Sequence, residues 1–175
     1  MDTHGPEIKI TNMLGVNICA VGRLRQSPEA VLVSDYISRF NKLGRQLGLG
    51  PASIVEVEDK TNSGISAEAT LLEKSIPKNS VVCILDENGK AITSPDLASL
   101  FSNWNDNAIK NVTFLIGGAD GIEPNLKKKA DYSLSFGKMV WPHSLARVML
   151  AEQIYRSATI PVSYTHLTLP TTYEV

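Results

Sequence analysis

Residues 111–124 read NVTFLIGGADGIEP, and the pattern changes abruptly inside them. Six residues rich in apolar and β-branched side chains (111–116) suit a strand. Gly117 and Gly118 end it, and Pro124 then occupies the first position of a short helix over residues 124–130. Strand, glycine turn and proline-started helix in immediate succession form half of a crossover unit. The question is whether the rest of the chain repeats it.

It does, in both directions. Upstream, residues 16–21 (VNICAV) form a short apolar run ended by Gly22. Ser27-Pro28-Glu29 follows as an N-cap, a proline and an early acid. Val33, Ile37, Phe40, Leu43 and Leu47 then recur at helical spacing until Gly48 and Gly50. Residues 53–57 alternate as a second strand, and residues 66–75 carry a weaker helical pattern. Residues 81–85 (VVCIL) are a third strand, continuous enough in apolar character to be central and covered on both faces. Asp86-Glu87-Asn88-Gly89 reads as a turn, and Ser94-Pro95-Asp96 repeats the cap signature before Leu97, Leu100, Phe101 and Trp104. Downstream, residues 132–136 form a fifth strand and residues 144–157 a last helix. Strands alternating with helices predict right-handed crossovers, a mainly parallel sheet and helices on both faces. Ligands of such α/β sheets bind beyond the carboxyl ends of the strands. The positions to read are therefore Gly22, Asp86, Gly117-Gly118 and the loop 136–143.

The chain has 175 residues, 43% of them apolar and 20% charged, which is enough for one core and excludes collagen, coiled coil and disorder. Cys19 and Cys83 are 64 positions apart in separate apolar runs, without metal spacing, and read as buried free thiols of a reducing, cytoplasmic compartment. No apolar run approaches the length of a membrane span, and the first dozen residues lack the basic flank and apolar stretch of a secretion signal, so the expectation is a protein that stays inside the cell. A formal charge of −1 conceals an asymmetry. Residues 125–161 hold six cations against two anions, whereas residues 13–124 hold ten against thirteen, so a phosphate-bearing partner would meet the later end. Residues 1–12 read as an N-terminal extension before Met13 and a domain over 13–161. Residues 162–175, VSYTHLTLPTTYEV, read as an atypical tail of the kind a non-native scar leaves.

Each motif carries two readings. The glycine pair has neither dinucleotide nor P-loop spacing. It is a tight turn alone, or a loop whose bare backbone a ligand approaches. The loop Phe136-Gly137-Lys138-Met139-Val140-Trp141 is a packing plug, a dimer contact or a platform for an apolar ring system. His143 at a helix start is structural or catalytic. Lys127, Lys128 and Lys129 are solvated surface, or a phosphate site beside the glycine loop. Arg147 and Arg156, nine positions apart, fall on opposite faces of the last helix. No hydrolase elbow, metal-binding motif or Cys/His cluster is present, so hydrolytic and metal chemistry find no support.

The combination of FLIGGADG (114–121) with LSFGKMVWPHSLARVMLAEQIYR (134–156) resembles the SPOUT-class ribosomal RNA large subunit methyltransferase H family. The likeness runs through nearly the whole domain from LGVNICAVGRL (14–24). It implies a trefoil-knotted fold, a homodimer, and S-adenosylmethionine as methyl donor to N3 of a pseudouridine in helix 69 of large-subunit ribosomal RNA, within the ribosome. Carried over by position, cofactor contacts fall on Leu85, Gly117, Gly118 and Phe136 to Trp141. His143 and Arg147 become catalytic candidates that face RNA or the partner subunit, and Lys127, Lys128, Lys129 and Arg156 become RNA contacts. Two departures stand out: Ala119 replaces a usual proline, and the family's Pro-Tyr-His-Arg ending is replaced by residues 162–175. Tyr164 and His166 are not adjacent and do not take its roles. The competing functions are a different small-molecule α/β enzyme using the strand-end cleft, and a non-catalytic ribosome-binding protein.

Overall fold

Five parallel strands form one sheet in the order β2-β1-β4-β3-β5 in a computed structural model that describes residues 13–161. The extension 1–12 and the tail 162–175 lie outside the described residues. In chain order the elements are β1 (Leu14–Val21), α1 (Pro28–Gly44), β2 (Leu49–Val57), α2 (Ile65–Ser75), β3 (Ser80–Ala91), α3 (Ser94–Asp106), β4 (Asn111–Ile116), α4 (Pro124–Lys129), β5 (Tyr132–Ser135) and α5 (His143–Thr159).

Alternation along each strand sorts the helices onto two faces. Leu14, Val16, Ile18 and Ala20 of β1 join Val112, Phe114 and Ile116 of β4 against α1, α3 and α5. Cys19, Ile84 and Leu115 point the other way, to Ala69 and Leu72 of α2 and Leu126 of α4. Both cysteines are buried and free. Burial pushes the Cys19 thiol up to about 11, as expected of an inert structural sulfur.

Three expectations need correction. The central strand is β4, not β3, because the chain leaves a gap beside β1 and fills it with residues 111–116. Leu47 does not extend the helical stripe: α1 ends at Gly44, and Leu47 lies exposed in a single 3-10 turn (Arg45–Leu47) closed by Gly48 at φ 73°. Asp86 to Gly89 do not end their strand. The Asp86 carboxylate accepts from the Asn88 N–H at 3.2 Å as a turn would require, yet Leu85 and Lys90 both face Leu134 of β5, so the segment bulges and the strand resumes. Gly89 sits where a β-carbon would come within 2.8 Å of the β5 backbone. The turn chemistry is real, but pairing with β5 continues beyond it. A further shift of one residue moves the α3 cap to Thr93, whose hydroxyl accepts from Asp96 N–H while Asp96 accepts from Thr93 N–H in a reciprocal capping box.

Candidate functional site

The bulge of β3 and the carboxyl ends of β4 and β5 open into one cavity of about 370 Å³. Its floor is Leu85, just before the β3 bulge, and Ile116 at the end of β4, with Gly117 and Gly118. One wall is the loop after β5, with Phe136, Gly137, Met139, Val140 and Trp141, closed by His143 and Ala146 of α5. The β3 bulge, Asp86 to Asn88, with Asp120 and Lys127, completes the lining. Leu85, the glycine pair and most of the loop 136–141, drawn from three separate regions of sequence, thus line one space.

The glycine loop is built tightly. Gly121 N–H donates to Gly118 carbonyl at 3.0 Å, and a β-carbon on Gly117 would lie 2.5 Å from the Gly121 oxygen. Gly117 is therefore required by the turn itself, and the bare backbone it leaves forms cavity floor. Gly137, at φ 120° with open space around it, turns the other loop. Its conformation is braced by the buried Ser135 hydroxyl, which accepts from Gly137 N–H at 3.0 Å.

The lining is apolar with an acidic edge. It holds three carboxylates, Asp86, Glu87 and Asp120, and one ammonium, Lys127, which pairs with Asp86 at 2.9 Å. Desolvation lifts the Asp86 carboxyl, but the Lys127 hydrogen bond, the Asn88 N–H and the Lys127 charge together outweigh it and leave it below the usual range. Such a surface suits a ligand with an apolar ring and a positive centre. The cavity volume lies in the range of roughly 300–1,000 Å³ typical of small-molecule sites.

Several expected residues stand elsewhere. Lys138 is exposed and outside the lining; beyond the Gly137 turn its side chain goes to solvent while Met139 and Val140 line the rim. Arg147 does not face RNA or a partner. It is 1% exposed, and its guanidinium donates to Glu56 at 2.7 Å and to the Val21 and Gly22 carbonyls at 3.3 and 3.1 Å. Gly22 thus serves as an acceptor for Arg147, away from the cavity. The same Glu56 oxygen accepts Leu24 N–H at 2.7 Å, so one carboxylate pins the ends of β1 and β2 to α5. Of the expected RNA contacts, Lys127 pairs with Asp86, Lys129 with Glu73 at 3.0 Å, and Arg156 with Glu152 one turn earlier. The excess of positive charge in residues 125–161 is largely met by carboxylates of the other elements. Lys128 is exposed.

Glu56, Glu68 and Asp120 are the polar residues missed by sequence reading. Glu56 belongs to the acidic run EVED (56–59) at the end of β2, where three carboxylates in four residues are a signal in their own right. Glu68 was hidden in the weakest helix, although its carboxylate lies against Gly118. His143 lines the cavity half-buried, at the first position of α5.

Among known proteins, the family model described as "Predicted SPOUT methyltransferase" matches residues 14–164. "Ribosomal RNA large subunit methyltransferase H" of Ruegeria sp. (strain TM1040) is 59% identical over 145 residues, covering 83% of this chain and 93% of its own. The protein of that name from Ruegeria pomeroyi is 58% identical, and the one from Dinoroseobacter shibae 55%, each over the same shares. Among solved structures, the SpoU methyltransferase AviRb from Streptomyces viridochromogenes, in complex with AdoMet, aligns with a TM-score of 0.39 and 15% identity over 85% of this chain and 58% of that one. With a family model spanning most of its length and relatives identical at more than half of their positions, the chain belongs to the SPOUT methyltransferase family, among the proteins named ribosomal RNA large subunit methyltransferase H.

Proposed function

We propose that this chain methylates N3 of a pseudouridine in helix 69 of large-subunit ribosomal RNA, in the cytoplasm, with S-adenosylmethionine as donor. The observation that carries the proposal is the convergence of Leu85, Gly117-Gly118 and the loop after β5 on one cavity with an acidic edge. When bound, the cofactor supplies a methyl group on an already activated, cationic sulfonium. Leu85, Gly117, Gly118, Phe136, Gly137 and Met139 to Trp141 would hold it, and the carboxylates of Asp86, Glu87 and Asp120 in the same lining would favour a cationic ligand.

What remains for the protein is alignment and a proton. Holding the acceptor nitrogen in line with the reacting carbon is worth roughly 7–11 kcal/mol of barrier. N3 carries a hydrogen that must leave, and His143, part of the cavity lining, is the candidate base. Lys128 and the surface pairs of Lys129 and Arg156, which cost little to open, would meet phosphates, with Lys127 beside them at the cavity edge. Met139 and Val140, 73% and 80% exposed beside Trp141 and Leu145, form an apolar rim that a second copy of the chain would cover. The trefoil knot belongs to the same reading.

Calorimetry is expected to show S-adenosylmethionine binding to the full chain, and tritiated-methyl transfer to ribosomes lacking the modification is expected to be slow. Replacing residues 162–175 by Pro-Tyr-His-Arg should raise the rate. Absence of cofactor binding would remove the proposal. Binding without any transfer in the tail variant would leave the chain a ribosome-binding protein.

A further inference from the structure

We infer that the amino edge of the sheet, opposite the cavity, is a second contact surface for ribosomal RNA: a row of cations that docks on phosphates and orients the protein on its substrate. The inference takes its partner from the proposed reaction and goes beyond it, since Lys78 and Lys110, near the middle of the row, have no part in the cavity.

Parallel pairing puts the starts of all five strands on one edge. The approaches to four of them carry cations. Lys42 and Arg45 precede β2, Lys74 and Lys78 precede β3, Lys110 directly precedes β4, and Lys128 and Lys129 precede β5. All seven are exposed. Ser80 of β3 pairs with Asn111 of β4, the central strand, so the turns bearing Lys78 and Lys110 lie side by side. Three carboxylates share this edge. Glu73 holds Lys129 at 3.0 Å, Asp131 accepts Val82 N–H at 2.8 Å, and Asp106 ends α3. The other six cations have no ion-pair partner among the described residues.

The carboxyl half of the sheet is the reverse. Glu58 and Asp59 follow β2, Asp86 and Glu87 form the β3 bulge, and Asp120 and Glu123 follow β4. Phosphates are repelled from that side and attracted to the far one. Lys42, Arg45, Lys74 and the α4 lysines stand at helix C-termini, where the helix dipole alone accounts for a cation. Lys78 and Lys110 do not: each lies beyond a helix cap, in the turn before a strand, exposed and unpaired. Adjacent unpaired cations within such a row fit a polyanionic backbone. The eight residues of β1 set the two edges about 26 Å apart. A folded RNA of ribosomal size spans that distance, with its acceptor at the cavity and its backbone at the far edge. Contacts of this kind fix orientation and carry no base identity.

The test uses the full chain and ribosomes lacking the modification. K78E/K110E should bind S-adenosylmethionine within about twofold of wild type by calorimetry and melt within about 2 °C of it, because exposed substitutions of this kind move stability little. Its ribosome affinity at low salt should fall about 10- to 30-fold, and the slope of log affinity against log salt should flatten by about 2. Measured in the chain ending in Pro-Tyr-His-Arg, the same change should raise KM for ribosomes and leave kcat unaltered. R25E/K60E makes an equal change in charge on two exposed cations of the cavity side and should stay within about threefold of wild-type affinity. Protein-free large-subunit ribosomal RNA should rank the three chains in the same order. Wild-type ribosome binding by K78E/K110E, or an equal loss in R25E/K60E, would overturn the inference. So would a loss on ribosomes that bare RNA does not reproduce, which would give the edge to a ribosomal protein. Absence of methyl transfer by the wild type and the tail variant alike would remove the proposed reaction, while the binding comparison still decides the role of the edge.

Discussion

Arg147 shows how a single residue can be read correctly in chemistry and wrongly in place. Its charge and its helical position opposite Arg156 were visible from spacing, and Arg156 is indeed on the exposed side. Its burial was not visible, because the partner that makes burial tolerable, Glu56, lies 91 positions away on β2. An unpaired guanidinium could not stay at 1% exposure; three hydrogen-bonded neighbours, Glu56, Val21 and Gly22, cannot be inferred from one helix. Arg147→Met is expected to cost about 3 kcal/mol of unfolding free energy by urea denaturation, the low end for a broken pair because the Glu56 side chain is one-third exposed. Lys127 offers a test by pH. Its pairing holds the Asp86 carboxyl low in the folded state. The stabilisation is therefore present above the ordinary carboxylate range and disappears as pH falls through the folded-state value. Lys127→Met should lower the melting temperature at neutral pH, and the two melting curves should converge on acidification.

At the scale of elements, the strands and helices were legible because their signals are local. Periodicity, caps and terminal glycines lie within a few residues of each other, and Ser27 caps α1 as its sequence announces, accepting Ala30 N–H at 3.2 Å. The failures occur where distant pairing decides. Nothing within Asp86-Glu87-Asn88-Gly89 reports that β5 waits opposite and lets the strand resume. The α3 cap moved by one residue because Thr93 can bond Asp96 in both directions, whereas the Ser94 hydroxyl is engaged by Gln153 of α5 at 2.6 Å. Thr93→Ala should therefore destabilise the protein by about 1 kcal/mol, and Ser94→Ala should leave the α3 N-terminus intact; amide exchange at Leu97 and Asp96 distinguishes the two.

For the molecule as a whole, the sheet edge that would hold the cofactor was predictable from crossover topology, since ligands of such sheets gather where backbone is exposed. Its electrostatics were not. Counting charges along the chain placed a cationic surface at residues 125–161, but folding brings Glu56, Glu73 and Asp86 from the acidic part onto Arg147, Lys129 and Lys127. An apolar rim at Met139 and Val140 emerges instead. Sedimentation is expected to find a dimer, and Val140→Asp to shift it toward monomer while the thermal transition persists. The placement of β4 also bears on how the molecule comes into being. Because β1 and β3 both pair with a strand made later than either, a nascent polypeptide lacking residues 111–116 owns two unjoined flaps and no keystone. Sheet closure must wait until that stretch clears the exit tunnel. Until then, exposed strand edges on both flaps are open to chaperones and to one another.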